Sequence, residues 1–424
     1  MPPAQPATTT TTTATVSPIR LHLVSREAPH GDFRITGQGT ASVRLPEGAG
    51  VRSLTLQLQP ARAHGGAPLA VGLTVDAKSA VLWLEKNGER YPLASTADPR
   101  ALLQTGVQQS YWLSLDSNNR RLRFGKGEML LHLMQLEYAF PETSDPLRLG
   151  ELAPTLGRVE VRGAGEHPHL VLRPIPVNLD PAPLVVRPED ITLDLIANNS
   201  VSVAQNLPKE CQLLYANVAG PNIRLASPDF PEFAQAIQYS IVTPGKMCFE
   251  QLQKKSKGPD HFSYLRITLD GNLGDSPGQP YVLEIWPAGS RSPIHDHGQA
   301  NAIIKVLHGQ IRIEWFGTLS PDDETSWGHM TAHAGDVTFL TPQYYQIHRL
   351  SNPSPYPGGD FCATIQCYRY ANKDRQHYEF FDFIDDDKHH VEHFRPDSDW
   401  AYLDFKRSIQ KEWDEAMRGT QPTA

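Results

Sequence analysis

Gly289-Ser-Arg-Ser-Pro-Ile-His295-Asp296-His297 is the stretch on which the reading of this chain turns. In an extended strand, residues two apart face the same side, so His295 and His297 present their imidazoles to one point while Asp296 turns away. An isolated His-x-His is a weak signal in a chain with 17 histidines, so the neighbouring segments decide. Period-two apolar runs surround it at Tyr281 to Trp286, Ala302 to Leu307, Ile311 to Phe316, Val337 to Leu340 and Phe361 to Tyr370, with Gly309 between the second and third. Gly335-Asp-Val, Pro342 and Tyr345-Gln-Ile-His348-Arg-Leu-Ser-Asn352 follow, and His348 can supply a third ligand from a neighbouring strand.

This pattern resembles the two motifs of the cupin superfamily, which sit on a double-stranded β-helix. The first motif is matched by Gly289, His295-Asp296-His297 and Gly309. The second is looser: Gly335 and Pro342 stand one residue further apart than usual, and Tyr344 replaces a glycine. Many cupins carry a glutamate shortly after the second histidine, where this chain has Asn301 and Ala302. Three neutral imidazoles leave a divalent ion its full charge and open positions, which suits an anionic ligand such as a thiolate.

The resemblance narrows to thiol dioxygenases, and to cysteine dioxygenase in particular. It is carried by Tyr264-Leu265-Arg266, Trp286, Ser292 to His297, Lys305-Val-Leu-His-Gly309, His348 to Asn352 and Tyr368, within about residues 191–395. It implies Fe(II) held by His295, His297 and His348, with O2 as co-substrate and a small thiol, cysteine favoured, as substrate. It also implies that Arg266 grips the substrate carboxylate, whose two oxygens match a guanidinium fork. Tyr368 would hydrogen-bond bound substrate or oxygen, and Tyr264 and Trp286 would line the substrate pocket. Three departures bear on the substrate more than on the metal. Ala302 stands where animal members have a cysteine that crosslinks to the tyrosine, Gln366 replaces a histidine two residues before Tyr368, and Arg369-Tyr370 replaces a Ser-Pro. Two relatives compete. A 3-mercaptopropionate dioxygenase often has glutamine in place of Arg266, and an oxidase of protein N-terminal cysteines usually has proline where Gly298 stands. A non-catalytic, metal-binding cupin with a partner-binding sandwich is the alternative from another class.

The chain of 424 residues carries 39 Lys and Arg against 47 Asp and Glu, a net charge of −8, which lacks the positive field of a nucleic-acid binder. No apolar stretch reaches membrane-spanning length, so no membrane partner is expected. Four cysteines without a Cys-x-x-Cys motif argue for a reducing, cytoplasmic setting. The expected fold is mainly β: a Thr- and Pro-rich tail at 1–18, a β-sandwich or jelly roll at 19–167, a Pro-rich linker at 168–190, the cupin at 191–400, and a C-terminal helix and tail at 401–424. In the sandwich, Arg52 to Gln59 alternates as a strand, and Lys86-Asn87-Gly88-Glu89 reads as a hairpin turn. A second hairpin joins Tyr111 to Leu115 with Arg121 to Phe124. Tyr111-Trp112-Leu-Ser-Leu-Asp116 with Phe124-Gly-Lys-Gly-Glu128 resembles a β-sandwich module named after farnesoic acid methyltransferase. It has no glycine-rich cofactor loop, so a binding or packing role is expected, its ligand or partner unknown. Ser227-Pro228 reads as the start of a helix carrying Phe233, Ala236, Ile237 and Ile241 on one face. Asp385-Asp-Asp387 reads as an exposed run, and Lys388 to His393 as a solvated loop.

Overall fold

The computed structural model describes residues 24–61, 69–143, 145–165, 168–256, 264–269, 281–370, 380–385, 389–395 and 397–419; the expected tail at 1–18 lies outside them. The chain is mainly β, a sandwich followed by a double-stranded β-helix. In the sandwich, two six-stranded sheets face each other. The expected alternation is visible in Ser53–Pro60, where Leu54, Leu56 and Leu58 are fully buried in the inter-sheet core with Leu73, Leu82, Leu113 and Phe124. Ala80–Lys86 and Glu89–Thr96 form the expected hairpin, with Asn87 and Gly88 both at positive φ as a type I′ turn requires. The second hairpin pairs Gln109–Asp116 with Arg121–Lys126.

The Pro-rich segment begins later than expected, because His169–Arg173 is a sandwich strand between Val24–Glu27 and Gln38–Leu45. The residues beyond it pack rather than swing free. Val177 is buried against Trp112, and Val185–Val186 pairs with Ser202–Val203.

In the second half, the chain crosses back and forth between two six-stranded sheets, with some consecutive strands paired as hairpins within one sheet. One sheet runs Val337–Leu340, Asn301–His308, Cys362–Arg369, Tyr281–Trp286, Leu265–Leu269 and Trp400–Ala401. The other runs Ser326–His333, Gln310–Phe316, His348–Ser351, His295–Asp296, Phe381–Asp385 and His390–Phe394. Leu265, Ile267, Leu283 and Ile285 turn outward to the helices Phe233–Val242 and Tyr402–Gly419, packing on Phe233, Ile237, Phe405 and Ile409. Period two therefore sends Arg266, Glu284 and Trp286 to the interior.

Three expectations are corrected. The helix starts at Phe233, not at Ser227-Pro228. Pro231 removes a donor and disfavours helical backbone at the residue before it, so Ser227 to Phe230 closes a turn instead. Asp385 is buried at the end of its strand, not exposed. His390–Phe394 is an edge strand paired with Phe381–Asp385, not a loop; Asp386 to Lys388 lie outside the described residues.

Candidate metal centre

His295 and His348 are direct cross-strand partners. The segments that carry them are zipped antiparallel: Ser292 N–H donates to Leu350 O at 2.8 Å, and Leu350 N–H returns a bond to Ser292 Oγ at 3.0 Å. Asn352 extends the zip, donating from its backbone to Ser290 O and from its amide to Trp286 O at 2.9 Å each. Ser292 and Asn352 thus hold the ligand strands in register. His297 follows on the same chain, its N–H donated to Gln346 Oε1 at 2.7 Å.

The three imidazoles converge. Ring centroids lie 4.9 Å apart for His295 and His297, 4.5 Å for His295 and His348, and 5.1 Å for His297 and His348. One ring nitrogen from each lies within 4.8 Å of the others, and all three residues are buried. His295 Nδ1–H donates to Pro293 O and His348 Nδ1–H to Gln346 O, each at 3.0 Å, which leaves each Nε2 as a lone pair. Both ring nitrogens of His297 are buried without a partner among the described residues. A polar atom in that state is costly, and an ion accepting its lone pair removes the cost. Burial pushes His295 down to about 4 and His348 to about 3, and lowers His297 well below its ordinary value, so all three are neutral at neutral pH and could each offer a lone pair to a metal. The residues fit a divalent ion that accepts imidazole, and among the described residues no carboxylate joins the group.

Around the triad the interior is part apolar, part a chain of buried polar groups. Phe381 meets His297 edge-on at 4.1 Å, and Tyr368 lies 5.3 Å from the same ring. Tyr264 stacks on Trp286 at 4.2 Å, and Trp286 Nε1 is buried without a partner among the described residues. Ala302 pairs with Tyr368 across the sheet, so the methyl side chain there leaves the tyrosine uncrosslinked. Tyr368 OH donates to Gln366 Oε1 at 2.5 Å, Gln366 Nε2 donates to Glu284, and Arg266 Nη1 donates to the other Glu284 oxygen at 2.6 Å.

Arg266 therefore meets a carboxylate of its own protein, which the sequence reading missed. Burial opposes the charge on Arg266, but Glu284 with Tyr368 and Tyr264 outweighs it and raises its pKa. Burial raises the Tyr368 hydroxyl well above its ordinary range, keeping it a proton donor. The signal for Glu284 was its place as the lone charge in Tyr-Val-Leu-Glu-Ile-Trp, an otherwise apolar and aromatic strand. Cys211, Cys248, Cys362 and Cys367 are buried free thiols. His333 is exposed, and His308 is partly exposed with its Nε2 2.8 Å from Asp360. A cavity of about 500 Å³ opens at the seam between the two halves, lined by Arg44, Asp382, His393 and the reverse side of the ligand strands at Asp296 and Gln346.

No protein-family model matches the sequence. Among solved structures, sheep galectin-11 in complex with glycerol aligns with 37% of this chain and 99% of its own at 9% identity and a TM-score of 0.25. Oxalate oxidase in complex with the substrate analogue glycolate aligns with 28% of this chain and 55% of its own, at 16% identity and a TM-score of 0.21. A second oxalate oxidase structure gives 15% identity, 27% and 54% coverage, and a TM-score of 0.21. The chain spans about half the length of these oxidase chains. No helix among the described residues is long and apolar enough to cross a membrane.

Proposed function

We propose that the protein is a thiol dioxygenase that uses Fe(II) and O2 to convert a small thiol, cysteine first among candidates, to its sulfinate. The observation that carries the reading is the convergence of His295, His297 and His348 with no acidic companion among the described residues. Ferrous ion bound there would bring a thiolate and dioxygen together and carry the electron exchange between them. Both oxygen atoms end on sulfur, so the overall reaction balances without an external reductant.

The remaining work falls to the chain's own residues. The three neutral imidazoles add no negative charge, which favours a thiolate at the site. In this reading a substrate carboxylate shares Arg266 with Glu284, taking the donors that the 2.6 Å bond to Glu284 leaves over, and fixes the sulfur relative to the triad; restraint of that kind is worth several orders of magnitude in effective concentration. Tyr368 holds a hydroxyl proton beside His297 in a chain anchored through Gln366 to Glu284. Trp286, Tyr264 and Phe381 exclude water from the same space.

The Arg266–Glu284 pair favours a second reading, a thiol with no carboxylate near its sulfur, such as the N-terminal cysteine of a peptide. Oxygen uptake by iron-loaded protein, measured with cysteine, 3-mercaptopropionate and a Cys-initiated peptide, separates the readings. Uptake with a product heavier by two oxygen atoms is the expected result. Bound iron with no uptake on any of these thiols contradicts the dioxygenase reading and leaves a metal-binding module.

A further inference from the structure

Glu128 belongs to the sandwich, yet its carboxylate reaches the segment that delivers His348. Its Oε2 accepts the Tyr345 N–H at 2.5 Å, and its Oε1 accepts the N–H groups of Gln346 and Ile347 at 2.6 and 3.3 Å. Tyr345 is held at positive φ, 63°, and successive N–H groups beside such a residue form a concavity that takes an anion. Here the acceptor is a carboxyl side chain from more than two hundred residues earlier, which burial pushes up to about 7 in spite of the three backbone donors.

Gln346, in the middle of that concavity, touches both neighbouring ligands. Its side-chain oxygen accepts the His297 N–H at 2.7 Å, its amide donates to Ala300 O at 3.2 Å, and its carbonyl accepts His348 Nδ1–H at 3.0 Å. Glu128 is itself fixed from behind. The Trp112 indole N–H donates to Glu128 O at 2.8 Å, and Gly127 sits so close to the second half that a Cβ there would lie 2.4 Å from Gly317 O.

Taking the metal-centre reading as its premise, we infer that Glu128 is a positioning residue of that centre, acting through Gln346, so that the sandwich completes the site carried by the other half. Residues that orient ligands from outside typically change metal affinity 10- to 100-fold when lost. The test is anaerobic Co(II) titration of the full chain, followed by its visible spectrum and read beside thermal unfolding. Wild type is compared with Glu128→Ala, Glu128→Gln, and His132→Ala, which removes a different seam contact, the tilted ring pair with Trp327.

Glu128→Ala is expected to weaken Co(II) binding by about 10-fold or more and to change the spectrum. Glu128→Gln, which keeps one acceptor oxygen and the shape, should recover part of the affinity and stands in if the alanine variant does not fold. His132→Ala should bind as wild type does. Wild-type affinity and spectrum in both Glu128 variants overturn the inference, as does equal weakening in His132→Ala. Failure of wild type itself to bind Co(II) at His348 overturns instead the metal-centre reading from which the inference starts.

Discussion

Arg266 and Glu284 show how one residue's partner changes what its neighbour can do. A guanidinium alone in an interior is an open clamp for a carboxylate, whereas one bonded at 2.6 Å to Glu284 is already balanced. Removing one member of a buried pair leaves the other uncompensated, typically at a cost of about 3–5 kcal/mol. Glu284→Gln is therefore expected to lower the unfolding temperature, and a carboxylate thiol should restore it. By thermal shift, cysteine or 3-mercaptopropionate should stabilise Glu284→Gln more than wild type, whereas cysteamine should not discriminate. Equal shifts in both proteins would show that substrate carboxylates do not reach Arg266. His295, His297 and their shared face were legible in the sequence because they sit in phase on a strand, and His348 because its flanking residues repeat a known pattern. The Glu284 contact was not, because it depends on Leu265–Leu269 pairing with Tyr281–Trp286 in a register that no local spacing specifies. Glu128 was harder still, since its partners are backbone amides of a distant segment.

Elements were legible where periodicity and turn chemistry agree. The Asn87-Gly88 hairpin and the terminal helix, with Phe405 and Ile409 buried, form as the pattern predicts. The pattern failed where one local signal outranked another, as at Ser227-Pro228, where Pro231 undoes the start that Pro228 favours. The edge strand His390–Phe394 was hidden by its composition, since exposed histidines on an outer strand look like a loop until their pairing is known. Gly309, by contrast, was marked as the turn between two strands, and the structure gives the reason. Its φ is +68°, and a Cβ would lie 2.5 Å from Phe361 O. Left-handed backbone alone costs a non-glycine residue about 1–2 kcal/mol, and the backbone clash adds to it. Gly309→Ala should accordingly lower the denaturant midpoint by an amount worth more than ~2 kcal/mol. An unchanged midpoint would mean that the turn between Asn301–His308 and Gln310–Phe316 relaxes freely.

At the scale of the whole molecule, the two halves meet through specific bonds rather than a loose tether. Tyr345 OH donates to Pro181 O, Arg173 lies over the Tyr344 ring at 5.2 Å, and the His132 ring meets Trp327, tilted, at 5.2 Å. The first two of these, with the Glu128 bonds, fall on residues 344–347, directly before His348, so the fold places this part of the seam behind the three histidines. The account as a whole depends on three imidazoles holding one ferrous ion. Its most direct test is the iron content of the full-length protein after anaerobic reconstitution, for wild type and for the His295→Ala, His297→Ala and His348→Ala variants. The account predicts one iron per chain in wild type and essentially none in each variant that keeps its fold by circular dichroism. A full complement of iron in folded His348→Ala, or none in wild type, would contradict it.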